Sequence, residues 1–86
     1  MKPHEVILYP LMTERSVYMI ENENKLVFIV NRRANKHEIA RAAQELYGVE
    51  ADSVRTLITT KGLKKAFVKL TDQYDASDLA IRLGIL

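Results

Sequence analysis

The side chains with the clearest chemical potential in this sequence are cations, and they come in clusters. Arg32, Arg33 and Lys36 precede or open a helical pattern, and Lys61, Lys64 and Lys65 flank Gly62 at a turn. Residues 31–69 hold nine Lys and Arg side chains against four carboxylates, a net of +5, whereas residues 1–30 sum to −1 and residues 70–86 to −2. A basic middle between mildly acidic ends suggests one polyanion-facing surface, and backbone N–H groups at a helix start favour phosphate in the same place. Charge alone leaves a second reading equally open. A basic loop and a lysine-bearing edge strand also keep sheets from pairing edge to edge.

Other chemistry finds little support. The three glycines, Gly48, Gly62 and Gly84, are each explained by a turn or a cap, so no glycine-rich phosphate loop can be built. His4 and His37 have no partner at metal-ligand spacing, and Ser16, Ser53 and Ser77 belong to no nucleophile motif. Glu21 with Glu23 and Asp75 with Asp78 read as helix-end and solvated charges. There is no cysteine, so no disulfide or thiolate site, which fits a reducing compartment. The expectation is a chain that is not an enzyme and carries no metal or cofactor. The apolar run Val6 to Tyr9, bounded by Glu5 and Pro10, is too short for a membrane span or a signal core. Lys2 stands where myristoylation needs glycine. A cytoplasmic protein without membrane insertion is expected.

These residues need a scaffold, and 86 residues with 48% apolar and 28% charged side chains have the composition of one globular domain. Glu5 to Tyr9 reads as a first strand stopped by Pro10. Thr13 is placed to N-cap a helix from about Glu14 to Glu21. Lys25 to Val30 is a continuous apolar run, a strand covered on both faces. Asn35, with Glu38 three residues on, opens a helix whose Ile39, Ala42, Ala43, Leu46 and Tyr47 form one stripe, and Gly48 caps it. Ala51 to Thr60 has strand composition. Lys61-Gly62-Leu63 connects it tightly to a partner strand, Lys64 to Leu70. A tail helix, Asp75 to Leu83, ends at Gly84. The predicted order is β-α-β-α-β-β-α, an α+β fold with a single, mainly antiparallel four-stranded sheet and helices on both faces. Alternation puts Lys65, Phe67 and Lys69 on one face of the last strand and Lys64, Ala66, Val68 and Leu70 on the other. Phe28 and Phe67 are expected in the core, so aromatic stacking on RNA has weak support.

The segment Lys64-Lys65-Ala66-Phe67-Val68-Lys69-Leu70-Thr71 closely resembles the signature of the large-subunit ribosomal protein family L-twenty-three, and every position conforms. Tyr9-Pro10-Leu11-Met12-Thr13-Glu14-Arg15-Ser16 is similar to the family's opening. Lys25 to Val30 followed by Ala34-Asn35-Lys36-His37-Glu38-Ile39 is similar to its central strand and second-helix start. Together these matches cover essentially the whole chain. Asp72-Gln73-Tyr74-Asp75-Ala76 and Leu83-Gly84-Ile85 resemble archaeal and eukaryotic members. The eukaryotic basic N-terminal extension is missing, which favours the archaeal type. Lys61-Gly62-Leu63 leaves no length for the bacterial tunnel loop. Where the family usually has Val-Asn-Thr, this chain reads Val54-Arg55-Thr56. Arginine only donates hydrogen bonds, so a charge-assisted contact with phosphate is the expectation there.

The resemblance implies a structural constituent of the large ribosomal subunit, beside the polypeptide exit tunnel. Its implied partners are the third domain of large-subunit rRNA, a neighbouring ribosomal protein numbered twenty-nine, the signal recognition particle and the protein-conducting channel. A monomer within the ribosome is expected. Binding is then expected by shape and charge, cations on phosphates and polar groups on 2′-hydroxyls. The candidate residues are Thr13, Arg15 and Ser16 at the first helix start, Asn35 and Lys36 at the second, Lys64 and Lys65 on the last strand, and Arg32, Arg33, Arg55 and Lys61. Thr13 and Asn35 serve equally as simple N-caps. The rival readings are an RNA-binding module acting outside the ribosome and a protein-interaction domain that docks a partner through its acidic tail helix.

Overall fold

Four strands pair into one antiparallel sheet in the order β1-β2-β4-β3. The strands are β1 (Ile7–Pro10), β2 (Lys25–Val30), β3 (Ala51–Ile58) and β4 (Lys64–Leu70). The helices are α1 (Pro3–Val6), α2 (Glu14–Glu23), α3 (Lys36–Tyr47) and α4 (Ala76–Arg82), and the computed structural model describes all residues from Met1 to Leu86. The expected α+β class and succession of elements are present, with one helical turn, α1, added in front.

That added turn shifts the first strand, which starts at Ile7 and not at Glu5. Pro3 presets the helical φ and has no N–H to leave unpaired, and the Glu5 carboxylate accepts the Lys2 backbone N–H at 2.9 Å. Pro10 does not stop β1 but is its last residue, opposite Phe28. Proline is tolerated there because β1 is an edge strand. At the other edge, β3 stops at Ile58 and not Thr60. The Thr59 N–H donates to the Leu63 carbonyl and the Gly62 N–H to that of Thr59, closing a turn in which Gly62 has φ +82°. Helix α2 runs two residues past Glu21, to Glu23, and ends at Asn24 in the left-handed region, φ 55°.

Strand β2 is buried along both alternations, as the unbroken apolar run requires. Leu26, Phe28 and Val30 join Ala66, Val68 and Leu70 of β4 in an 18-residue cluster that takes in Ile39, Ala42 and Ala43 of α3 and Leu79 and Ala80 of α4. The Tyr47 ring stacks on Phe28, centroids 5.8 Å apart and planes 11° from parallel. Burial raises the Tyr47 phenol above its ordinary pKa. Leu46, placed on this stripe by periodicity, is 40% exposed, because the stripe is narrow and Ile39, Ala42 and Ala43 already fill it. The opposite face of β2, Val27 and Ile29, is also buried, beside Ser16 and Met19 of α2. Helices thus cover both faces, but the strand on which α2 packs is β2. The half of that sheet face formed by β4 and β3 is left open.

Strand order bears directly on the lysines. Strand β4 lies between β2 and β3, so Lys64, Lys65 and Lys69 are on an inner strand. The reading of these lysines as edge protection is therefore removed, since only an edge strand has unpaired backbone to protect.

Candidate nucleic-acid interface

The site is built at the start of two helices and on the open half of the sheet. At the start of α2, the Thr13 hydroxyl accepts the Ser16 N–H at 3.1 Å and the Ser16 hydroxyl accepts the Thr13 N–H at 2.8 Å. Ser16 Oγ also donates toward the Leu11 and Thr13 carbonyls, at 3.0 and 2.9 Å, and the residue is 2% exposed. Its hydroxyl is committed to holding the turn, whereas Thr13 and Arg15 are exposed beside it. At the start of α3, Asn35 Oδ1 accepts the Glu38 N–H at 2.9 Å and the Glu38 carboxylate accepts the Asn35 N–H at 3.1 Å. Lys36 follows, exposed, and shares a shallow groove with His37 and the first residues of β3.

Strand register sorts the other candidates. Arg55 of β3, Phe67 of β4 and Val27 of β2 are direct neighbours in one row across the sheet. Leu57, Lys65 and Ile29 form the next row, and Ser53, Lys69 and Lys25 the row on the other side. The Lys65 ammonium stands 5.9 Å from the Phe67 ring centroid. Thr13, Arg15, Lys65 and Phe67 meet around one small cleft with Met19 and Val27 at its base. Thr13, Arg15, Arg55 and Lys65 therefore share a face.

Lys64 points to the opposite face, as alternation requires, and its amine donates to the Ala34 carbonyl. It thereby ties the loop between β2 and α3 to the hairpin end of the sheet. In that loop, Arg32 and Arg33 are exposed, and the Arg32 guanidinium stands where a Cβ added at Gly62 would come within 3.7 Å of it. Arg32, Arg33, Lys61 and Lys64 gather at this end, next to Lys65. The molecule's single ion pair, Lys25 with Glu23 at 3.1 Å, involves none of the candidate cations.

On this face Phe67 is the residue the sequence misplaced. It is only part-buried, on the open face rather than in the core. Leu57, 45% exposed beside Lys65, carried no signal of its own in the sequence. Both could have been found from the register, had the order of strands been known.

An open sheet face carrying unpaired cations and an aromatic ring, continuous with a basic sheet end, is the candidate surface of this small α+β domain. Comparison with known proteins narrows this. Residues 5–74 match the model of the family described as Ribosomal protein L23, and the chain belongs to that family. It is 46% identical over 85 residues to the large ribosomal subunit protein uL23 of Methanococcus aeolicus, covering 99% of each chain. It is also 46% identical over 83 residues to the uL23 of Candida albicans, covering 96% of this chain and 58% of the fungal protein.

Proposed function

We propose that this chain is a non-catalytic, structural component of the large ribosomal subunit of the cytoplasmic ribosome, and that it binds large-subunit rRNA. The observation that carries the RNA-binding part is the grouping just described. Arg15, Arg55 and Lys65 lie on one open face, Arg32, Arg33 and Lys61 lie at the adjoining end, and no carboxylate pairs with any of them. Unpaired cations over a rigid sheet suit a pre-folded polyanion better than they suit a solvated surface, where neighbouring carboxylates commonly intersperse.

In this reading the exposed cations neutralise phosphates and Thr13, Asn35 and Lys36 reach the backbone at the two helix starts, where N–H groups favour anions. Ser16 and Lys64 act from beneath, one ordering the α2 start and the other the Arg32–Arg33 loop. Family resemblance extends the proposal. It places the protein, as a monomer, on the third rRNA domain beside the exit tunnel and next to the ribosomal protein numbered twenty-nine. There it would lie within reach of the signal recognition particle and the protein-conducting channel. The names of the archaeal and fungal relatives support the subunit assignment.

The test is the affinity for a third-domain fragment of large-subunit rRNA as salt is varied. Log affinity should fall linearly with log salt, by roughly 0.7 to 0.9 per phosphate neutralised, and Lys65→Ala should lower the slope by about one contact. Salt-independent binding would remove the electrostatic basis of the proposal.

A further inference from the structure

The open half-face is not uniformly basic. Its side chains alternate Lys65, Phe67, Lys69 along β4 and Leu57, Arg55, Ser53 along β3, so each apolar group stands beside a cation. No carboxylate is among them. Helix α2 covers the same face over β2, and its Arg15 and the adjoining Thr13 wall the cleft beside Phe67. A duplex backbone offers only phosphate and sugar to such a surface and leaves Phe67 and Leu57 without a partner. An unpaired nucleotide offers both a flat apolar base and a charged phosphate at the spacing of one side chain to the next.

We propose that this half-face is a receptor for an unstacked nucleotide of the rRNA, with the base stacked on Phe67 and flanked by Leu57, and the adjacent phosphates held by Lys65, Arg55 and Arg15. The proposal rests on the rRNA-binding reading and names the form of RNA this surface takes. The Lys65 ammonium now over the ring is a device and no obstacle. It rests on the π-face because no carboxylate competes for it. A phosphate is the stronger partner, since an exposed cation–π contact is weaker than a charge-assisted hydrogen bond. Drawn to a phosphate, the flexible Lys65 stem uncovers the ring for the base. Phe67 sits on an inner strand, between Val27 and Arg55, so the platform is rigid.

The chain has no tryptophan, so Phe67→Trp installs a single fluorescent reporter at the proposed stacking position. Saturating third-domain rRNA fragment should quench that fluorescence, whereas a fully paired RNA of equal length should not. Phe67→Leu, which keeps an apolar side chain at this position, should bind the fragment roughly tenfold more weakly with an unchanged salt slope. A thermal melt equal to the parent's shows that the fold is retained. An unquenched indole signal at saturation, equal quenching by paired RNA, or parent-like affinity of Phe67→Leu would each overturn the stacking proposal while leaving the rRNA-binding reading in place. Failure of the parent chain to bind the fragment at low salt would remove both.

Discussion

Lys64 and Lys65 are chemically identical neighbours that the sheet sends to opposite faces, and the structure gives them different work. The Lys64 amine is spent on the Ala34 carbonyl, across a sequence separation of 30 residues. Lys65 has only the Phe67 ring. Charge removal should therefore separate them. Lys65→Gln is expected to lower the salt slope for rRNA-fragment binding by about one contact, and Lys64→Gln to leave the slope within error of the parent. Slopes measured on both variants under one set of conditions decide the matter, and equal losses would return Lys64 to direct phosphate contact. Alternation along a strand made the divergence legible in the sequence. The destination of the Lys64 amine was not, because it depends on a loop folding back from 30 positions away. Ser16 is similar. Its place in the α2 cap went unread because serine stands where the familiar capping pattern has Glu or Gln.

At the scale of elements, Asn24 joins the end of α2 to the segment leading into α4. Its side-chain amide donates to the Tyr74 carbonyl at 2.9 Å and more weakly toward those of Leu70 and Thr71, and its Oδ1 accepts the Ala76 N–H at 2.7 Å. The residue does this from a left-handed backbone, which asparagine tolerates better than most. Asn24→Ala should cost about 3 kcal/mol, combining the backbone penalty with unsatisfied polar groups, and α4 amides should exchange faster with solvent. Asn24→Gly should recover only the backbone part, and chemical denaturation of both variants measures the split. Tyr47 makes the packing of α3 on the sheet sensitive to high pH. Burial favours the neutral phenol in the fold, so its stabilising effect is complete below the ordinary phenol pKa near 10. It should be lost as pH rises through the higher native value. Tyr47→Phe should flatten that part of the stability–pH curve relative to the parent. The elements themselves were largely legible. The Lys64–Leu70 strand, the Asn35 cap and the Gly48 end follow from local spacing and cap chemistry. Strand order was not, since periodicity tells which residues share a face but not which strand is inner or how far a helix spreads over it. That gap put Phe67 in the core and left an edge position open for the lysines of β4.

Across the whole molecule, two clusters of like charge stand at opposite ends of the sheet, with Lys25 and Lys69 also at the acidic end. Arg32, Arg33 and Lys61 stand where β2 ends and the β3–β4 hairpin turns, while Glu21, Glu23, Asp72 and Asp75 line one hollow where β2 begins and β4 ends. The six residues of β2 separate the poles by roughly 17 Å. That distance exceeds the screening length of about 8 Å at physiological salt, so the acidic pole does not cancel the attraction of the basic one. It acts on orientation. A net charge of +2 pulls weakly on RNA from afar, and a molecule arriving acidic end first is repelled as it nears the phosphates. Reversing Glu21 and Asp72 to lysine leaves the basic face and its contacts intact but removes that discrimination. The double variant is expected to bind the rRNA fragment within about twofold of the parent at physiological salt and to bind unrelated RNA several-fold more tightly. Competition between fragment and bulk RNA reads the ratio directly. A parent-like ratio would mean that shape at the sheet face alone sets the orientation, with no contribution from the opposed poles.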